Sequence, residues 1–203
     1  MRRLHYFSGF VITLFVGVHM INHALSLWGV DVHIAFMDMA RLVYRNPVSE
    51  MLLLTAVGIQ IGTGLRLFAH KRNAVHGIFE KMHLWTGLYL AMFFLIHVGA
   101  VLTGRYMLNL DTNFYFGAAG LNLFPLNVFF IPYYGLAIVS FFGHISAIHS
   151  LKMKHQLFGL SVQQQSQLIV ATGIVVNLVV LYGLTNGFTG IEIPKEYNFM
   201  GEH

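Results

Sequence analysis

The fold is decided by the stretch Gly87-Leu-Tyr-Leu-Ala-Met-Phe-Phe-Leu-Ile-His97, the middle of an apolar run that begins near His83. About 20 apolar residues suffice to cross roughly 30 Å of hydrocarbon. A histidine inside such a run is costly to bury without a partner, so it marks a functional site by default. We therefore expect a transmembrane helix here, with His97 as a ligand of haem iron.

The composition places the rest of the chain in a membrane as well. Of the 203 residues, 56% are hydrophobic and 10% are charged, whereas soluble domains carry about 25% charged residues. Cysteine is absent, which excludes disulfides, thiolate metal sites and cysteine-ligated iron–sulfur clusters within this chain. Twelve histidines outnumber eight acidic residues, and imidazole is a common haem ligand.

Apolar windows predict five transmembrane helices, near 7–28, 48–69, 83–104, 127–150 and 166–188. The expected fold class is all-α: an integral membrane five-helix bundle with a haem-binding four-helix core, in one domain over residues 1–203. The connection 29–47 predicts a short interfacial helix before Pro47 opens the second span. The connection 105–126 predicts a structured loop, and Gln163 to Gln165 predict a polar turn before the fifth span.

Basic and acidic residues are distributed unequally between the two sides of the membrane. Most basic residues fall at the N-terminus and in the second and fourth connections, whereas all acidic residues except Glu80 lie on the other side. The positive-inside rule then predicts a cytoplasmic N-terminus and an outer C-terminus, in a bacterial-type inner membrane crossed several times.

The histidines of the first and third spans lie at matching depths. His19 and His97 both fall about two thirds of the way along spans that run in the same direction. Two imidazoles facing each other across a helical bundle are what a six-coordinate b-type haem requires. We expect His19 and His97 to be the axial ligands of an outer haem, with His23, one turn after His19, as a competing ligand.

A second set of histidines lies nearer the inner face. His5 and His83 each precede the outer histidine of the same span by 14 residues, which returns them to within about 40° of the same face. They are candidate ligands of an inner haem or contacts of its propionates. His144 in the fourth span is another candidate ligand, and Gln60 is the polar residue at the corresponding depth of the second span. Hydrogen bonding of His144 to Gln60 or to a backbone carbonyl is the alternative.

Four stretches carry a family resemblance: Arg2-Arg3-Leu4-His5 with His19, Asn46-Pro47 with Gly62-Thr-Gly-Leu-Arg66, Trp85-Thr86-Gly87 with His97, and Phe142-Gly143-His144. In this order they resemble the single-chain, five-helix cytochrome b anchor of the succinate:quinone oxidoreductase and quinol:fumarate reductase family. The resemblance implies that His19 and His97 hold the distal haem and that His144 holds one side of a proximal haem. Gln60 stands where that family has the other proximal ligand.

The resemblance also implies an electron path. This chain would be the membrane subunit of the enzyme complex, without flavin chemistry of its own, and would bind haem b, one or two groups, together with menaquinone or ubiquinone. An iron–sulfur subunit and a flavoprotein subunit would dock on its cytoplasmic face. Candidate quinone contacts are His23, His33 and Glu50 on the outer side and His83, Arg66 and His5 on the inner side.

Two other functions fit the same sequence. One is a quinone-reactive cytochrome b that serves a different respiratory oxidoreductase. The other is a haem-free membrane anchor or transporter, in which the histidines make polar packing contacts or move protons.

Overall fold

The computed structural model describes residues 2–198, which form seven α-helices and no β-strand. The helices are α1 (Arg2–Leu25), α2 (Val30–Tyr44), α3 (Pro47–Lys71), α4 (Ile78–Tyr106), α5 (Phe114–Asn122), α6 (Leu126–Lys152) and α7 (Val162–Leu184). Five of them, α1, α3, α4, α6 and α7, are long and apolar enough to cross a membrane. The expected all-α membrane bundle is confirmed.

Each predicted span coincides with one long helix, although the ends differ by up to five residues. Helix α4 begins at Ile78 because the Glu80 carboxylate accepts hydrogen bonds from the backbone N–H groups of His76 and Gly77, both at 3.2 Å. Helix α7 begins at Val162 because the Ser161 hydroxyl accepts a hydrogen bond from the Gln164 N–H at 3.3 Å. The polar residues before these spans thus move the start of α4 and of α7 toward the N-terminus by four or five residues relative to the apolar windows.

The prediction of a polar turn at Gln163 to Gln165 is wrong. These residues form the first turn of α7, and Gln165 is buried. Its side-chain amide donates to the carbonyls of His155 at 3.2 Å and Leu160 at 2.8 Å. The buried amide thus satisfies backbone carbonyls of the preceding connection; the Leu160 carbonyl also accepts from the Leu157 N–H at 3.3 Å.

The two long connections at the other end of the bundle are largely helical. Helix α2 confirms the expected short helix, and Asn46 caps α3 by accepting a hydrogen bond from the Val48 N–H at 3.0 Å. The connection 105–126, expected as a loop, contains α5. Its small residues allow close packing, since Ala118 and Ala119 are fully buried and Gly120 lies against the Phe130 ring.

The five long helices form a closed ring in the order α1, α3, α4, α6 and α7, with α7 packing back against α1. Helices α1 and α4 therefore face each other across the interior. We call the end that carries α2 and α5 the capped end and the end where α1 begins the N-terminal end. Many large apolar side chains on the outside of the ring are exposed, as a lipid-facing surface requires.

A cluster of buried apolar residues lies at the capped end, where α5, α6 and α7 meet. Its buried members are all apolar: Phe114, Ala118, Leu121, Ile138, Val180, Leu181 and Leu184. Asn122 ties this region to the end of α7 and to the segment that follows it. Its side-chain amide donates to the Leu184 carbonyl at 3.0 Å, and its side-chain oxygen accepts from the Ile191 N–H at 3.1 Å. The capped end is therefore a fixed wall for the interior space below it.

Candidate functional site

A cavity of about 270 Å³ lies inside the ring, in the half of the bundle nearer the capped end. All five long helices and α5 contribute to its wall. Most of the lining side chains are aliphatic or aromatic. The exceptions are the imidazoles in its middle, the Tyr134 hydroxyl and a polar group at one end, which together make the cavity amphipathic.

His19 and His97 project into this cavity from α1 and α4, on opposite sides of the ring. Their ring centroids are 6.2 Å apart and their planes are inclined by 64°. The depth matching of the two spans predicted this proximity.

This separation suits two imidazoles that bind one iron from opposite sides. An imidazole nitrogen lies about 2.0–2.1 Å from a transition metal, and the ring centroid lies about 1 Å further away. Two such ligands on one iron therefore have centroids about 6 Å apart, which agrees with the observed 6.2 Å. The donor set and the centroid spacing fit a b-type haem, whose macrocycle would supply the remaining iron ligands. Because His19 Nε2 lies 3.1 Å from His23 Nε2, binding iron through that nitrogen requires the contact between the two histidines to open.

Aromatic side chains fix the orientation of both imidazoles. Phe15 stacks on His19 with centroids 5.6 Å apart and planes within 16°, and Phe93 stacks on His97 at 5.0 Å and 12°. The Tyr134 ring meets His97 edge-on at 6.0 Å. Because each stacking residue lies one helical turn before its histidine on the same helix, the sequence spacing itself fixes the ring position.

His23 lies between His19 in the cavity and His33 behind the cavity wall. Its Nε2 is 3.1 Å from His19 Nε2, and its Nδ1 is 3.4 Å from His33 Nε2. His33 in turn contacts the Asn22 side-chain amide at 3.2 Å. His23 lines the cavity, whereas His33 does not and is only 2% exposed. Of the three outer quinone candidates, His23 and Glu50 therefore reach the cavity and His33 lies behind it.

The environment of His33 disfavours its charged form. Burial, followed by the positive charges of His19 and Arg41, lowers the pKa of His33 to about 4. Its Nδ1 is buried without a hydrogen-bond partner. His33 is thus a neutral, structural imidazole between α1 and α2 at neutral pH.

At the N-terminal end the histidines are arranged differently. His83 and His144 pack against each other with ring centroids 4.4 Å apart and planes within 31°. His144 Nδ1 is also 3.2 Å from the Thr86 hydroxyl, and its ring lies against the α4 backbone at Gly87. A spacing of 4.4 Å is shorter than the roughly 6 Å that two ligands of one iron require. This pair does not fit a haem held between its two rings.

The expected partners of that inner pair are engaged elsewhere. His5 Nδ1 is 2.8 Å from the Thr63 hydroxyl, and the Gln60 side-chain amide donates to the His5 carbonyl at 3.0 Å. Gln60 therefore links α3 to α1 and makes no hydrogen bond to His144. Gly9 is required for this link, since a Cβ at that position would collide with the Gln60 amide nitrogen. His5, His83 and His144 all lie outside the wall of the cavity.

Charged and polar side chains close the cavity at the capped end. They are Tyr44, Arg45, Glu50, Arg105 and Thr112. The Arg105 guanidinium forms a two-contact ion pair with the Glu50 carboxylate. Arg45 Nη2 donates to the Thr112 hydroxyl at 2.7 Å. We call this group the polar mouth; apart from Glu50, sequence patterns did not identify it, although Arg45 directly precedes the Asn46-Pro47 helix start.

Comparisons with protein-family models, with curated proteins and with solved structures find no match for this chain. Within residues 2–198, no group of three or more His, Cys, Asp or Glu side chains is arranged to hold a metal ion. Haem iron needs only two protein ligands.

The remaining histidines lie away from the cavity. His70, in the last turn of α3, and His76 and His155, in the connections, are exposed. His149 Nε2 is 2.8 Å from the Gln165 side-chain oxygen. His203 and the other residues after 198 lie outside the described part of the chain, and Arg66 is exposed near the end of α3.

Proposed function

We propose that this chain is a haem b-containing membrane anchor that passes electrons between membrane quinone and the iron–sulfur and flavoprotein subunits of a succinate dehydrogenase or fumarate reductase. The observation that carries the haem assignment is the His19–His97 pair, 6.2 Å apart across an apolar cavity. The ordered sequence motifs support the choice of partner subunits.

Each part of the cavity has a task in this proposal. His19 and His97 bind the iron, and Phe15 and Phe93 hold their rings in register. The aliphatic wall excludes water, which favours retention of an apolar macrocycle. When bound, haem supplies reversible one-electron transfer. The absence of cysteine is consistent with iron–sulfur clusters on a partner subunit.

We place one haem in this chain rather than two. The His83–His144 spacing is too short for a shared iron, and Gln60 bonds the α1 backbone where a second axial ligand would be needed. These inner side chains instead join α1, α3, α4 and α6 through hydrogen bonds and ring packing.

The polar residues of the cavity and the charged residues at the helix ends indicate where quinone and the partner subunits would bind. His23 and Glu50 line the cavity and are polar, so we propose them as the quinone contacts nearest the haem. Basic residues cluster at the N-terminal end, so we propose that this end faces the cytoplasm and docks the soluble subunits.

The haem assignment is tested by a reduced-minus-oxidised spectrum and haem quantitation of the purified chain. We expect a b-type α-band and one haem per chain. His19→Ala and His97→Ala should each lose the low-spin spectrum, whereas the exposed control His70→Ala should keep it. His23→Ala should also retain haem, and its loss there would show that His23 is the ligand. No α-band in the unaltered chain would refute the proposal and favour the haem-free anchor or transporter.

The partner assignment needs a separate experiment. Affinity purification of the tagged chain from its native membrane should recover a flavoprotein with succinate- or fumarate-linked activity. Recovery of a different dehydrogenase together with intact haem would reject this partner and support the quinone-reactive cytochrome b of another oxidoreductase.

A further inference from the structure

The polar mouth lies at one end of a cavity whose wall is otherwise mostly apolar. Its residues come from the end of α2, the start of α3, the end of α4 and the connection before α5. An apolar ligand alone would gain nothing from charged groups at this position, because placing them beside an apolar cavity removes part of their hydration. The mouth therefore indicates a ligand that is apolar along most of its length and ionised at one edge.

The two arginines of the mouth differ in what they already bind. Arg105 and Glu50 neutralise each other, with side chains only 20% and 21% exposed. Arg45 has no partner as close: it donates to the neutral Thr112 hydroxyl at 2.7 Å, and its ion pair with the half-exposed Asp111 carboxylate is long, at 3.9 Å. Arg41 holds that carboxylate more closely, at 2.9 Å. A guanidinium has five N–H donors. Arg45 thus has donors to spare and supplies the net positive charge of the cavity wall.

The surroundings of Arg45 add to its affinity for an anion. Its side chain is 28% exposed, so a carboxylate bound there would be partly shielded from water and its interaction strengthened. Burial, and then the neighbouring Arg41 and Arg105, lower the pKa of Arg45. The bonded Thr112 hydroxyl holds the guanidinium in place, and Tyr44 contributes a second neutral hydroxyl to the mouth.

We infer that Arg45 binds a propionate carboxylate of the haem and so determines which edge of the macrocycle faces the capped end. This inference rests on the proposed haem function. It assigns to Arg45 a positioning role, with the Glu50–Arg105 pair as a neutral neighbour, and it makes the cavity selective for a porphyrin with ionised side chains.

The test compares two probes on the haem-free chain: haem b and its dimethyl ester, in which both carboxylates are neutral. The unaltered chain should bind haem about 10–100-fold more tightly than the ester, the range of a hydrogen bond to a charged group. Arg45→Gln should reduce that preference to near unity, and Arg45→Lys should retain part of it. Arg72→Gln, an exposed control in the connection after α3, should leave it unchanged.

A second measurement needs no binding assay. Removing a positive charge near the iron makes its reduction less favourable. The haem midpoint potential should therefore fall in Arg45→Gln and not in Arg72→Gln. Equal binding of haem and ester by the unaltered chain would overturn the inference and leave the His19–His97 assignment intact. Failure of the unaltered chain to bind either probe would overturn both.

Discussion

His33 should make the stability of this protein depend on pH between neutral and mildly acidic solution. Its pKa is about 4 in the folded chain because it is buried and lies near His19 and Arg41. In the unfolded chain it returns to 6.5. Because the unfolded state then binds the proton more tightly, stability is full above pH 6.5 and is lost as the pH falls toward 4.

The size of the effect follows from the two pKa values. At 1.36 kcal/mol per pH unit, the difference between 6.5 and about 4 corresponds to about 3 kcal/mol below pH 4 and to about 2 kcal/mol at pH 5. For a chain of this length, 1 kcal/mol shifts the melting temperature by about 2–4 °C. The His33 contribution should therefore lower the melting temperature by about 4–8 °C between pH 7.5 and pH 5.

The measurement is thermal unfolding in detergent micelles at half-unit pH intervals from 7.5 to 4.5. His33→Gln keeps a side-chain hydrogen-bonding group near Asn22 and removes the buried imidazole, whereas His70→Gln, the control, replaces an exposed histidine. The unaltered chain and His70→Gln should lose stability in parallel, while His33→Gln should lose about 2 kcal/mol less by pH 5. If all three curves run in parallel, the reasoning from burial is refuted.

Three further predictions concern the interior contacts. Gly87→Val should destabilise the chain by about 1–3 kcal/mol, because a Cβ there meets the His144 ring at 3.0 Å. The melting temperature measures this loss, and an unchanged melting temperature would contradict the packing of His144 on Gly87. Gln60→His should not raise the haem content above one per chain, and a second haem by quantitation would reject the one-haem proposal. Arg105→Gln should lower the free energy of unfolding by about 1–3 kcal/mol, because it leaves the Glu50 carboxylate without its partner. Adding Glu50→Gln to this variant should restore part of the lost stability. If the double variant instead loses the sum of the two single losses, the pair is uncoupled.

The length and hydropathy of the apolar segments were sufficient to predict the five spans and the depth of each histidine within its span. Hydropathy fixes where a helix enters and leaves the bilayer, and a fixed rise per residue then gives the level of His19 and His97. The chain direction of each span determined that these two share a level. Their proximity in the cavity also requires α1 and α4 to lie opposite each other in the ring with both imidazoles turned inward.

Rotation of each helix about its axis was harder to predict. His83 and His144 share a level near the N-terminal end, but their direct packing depends on how α4 and α6 turn toward each other, which packing between helices decides. Gly87 permits that contact, and the sequence alone does not distinguish a glycine that accommodates a ring from one that accommodates a porphyrin.

At the capped end, α2 was predicted but α5 was not, for a different reason. Helix α5 is rich in glycine, alanine and aromatic residues, a composition that also suits loops, and tertiary burial outweighs that local preference. The polar mouth was missed because its members come from four separate segments. Arg45 and Thr112 meet only after α2 and the connection before α5 have packed together.

The closed ring of helices constrains how the protein is made. Because α7 completes the ring by packing against α1, the cavity wall remains incomplete until the last of the five spans has been inserted. Helices α1, α3 and α4 enter the membrane first, and they already carry both candidate iron ligands. During synthesis there is therefore an interval in which a large planar group can reach His19 and His97 from the side, before the final helix encloses it.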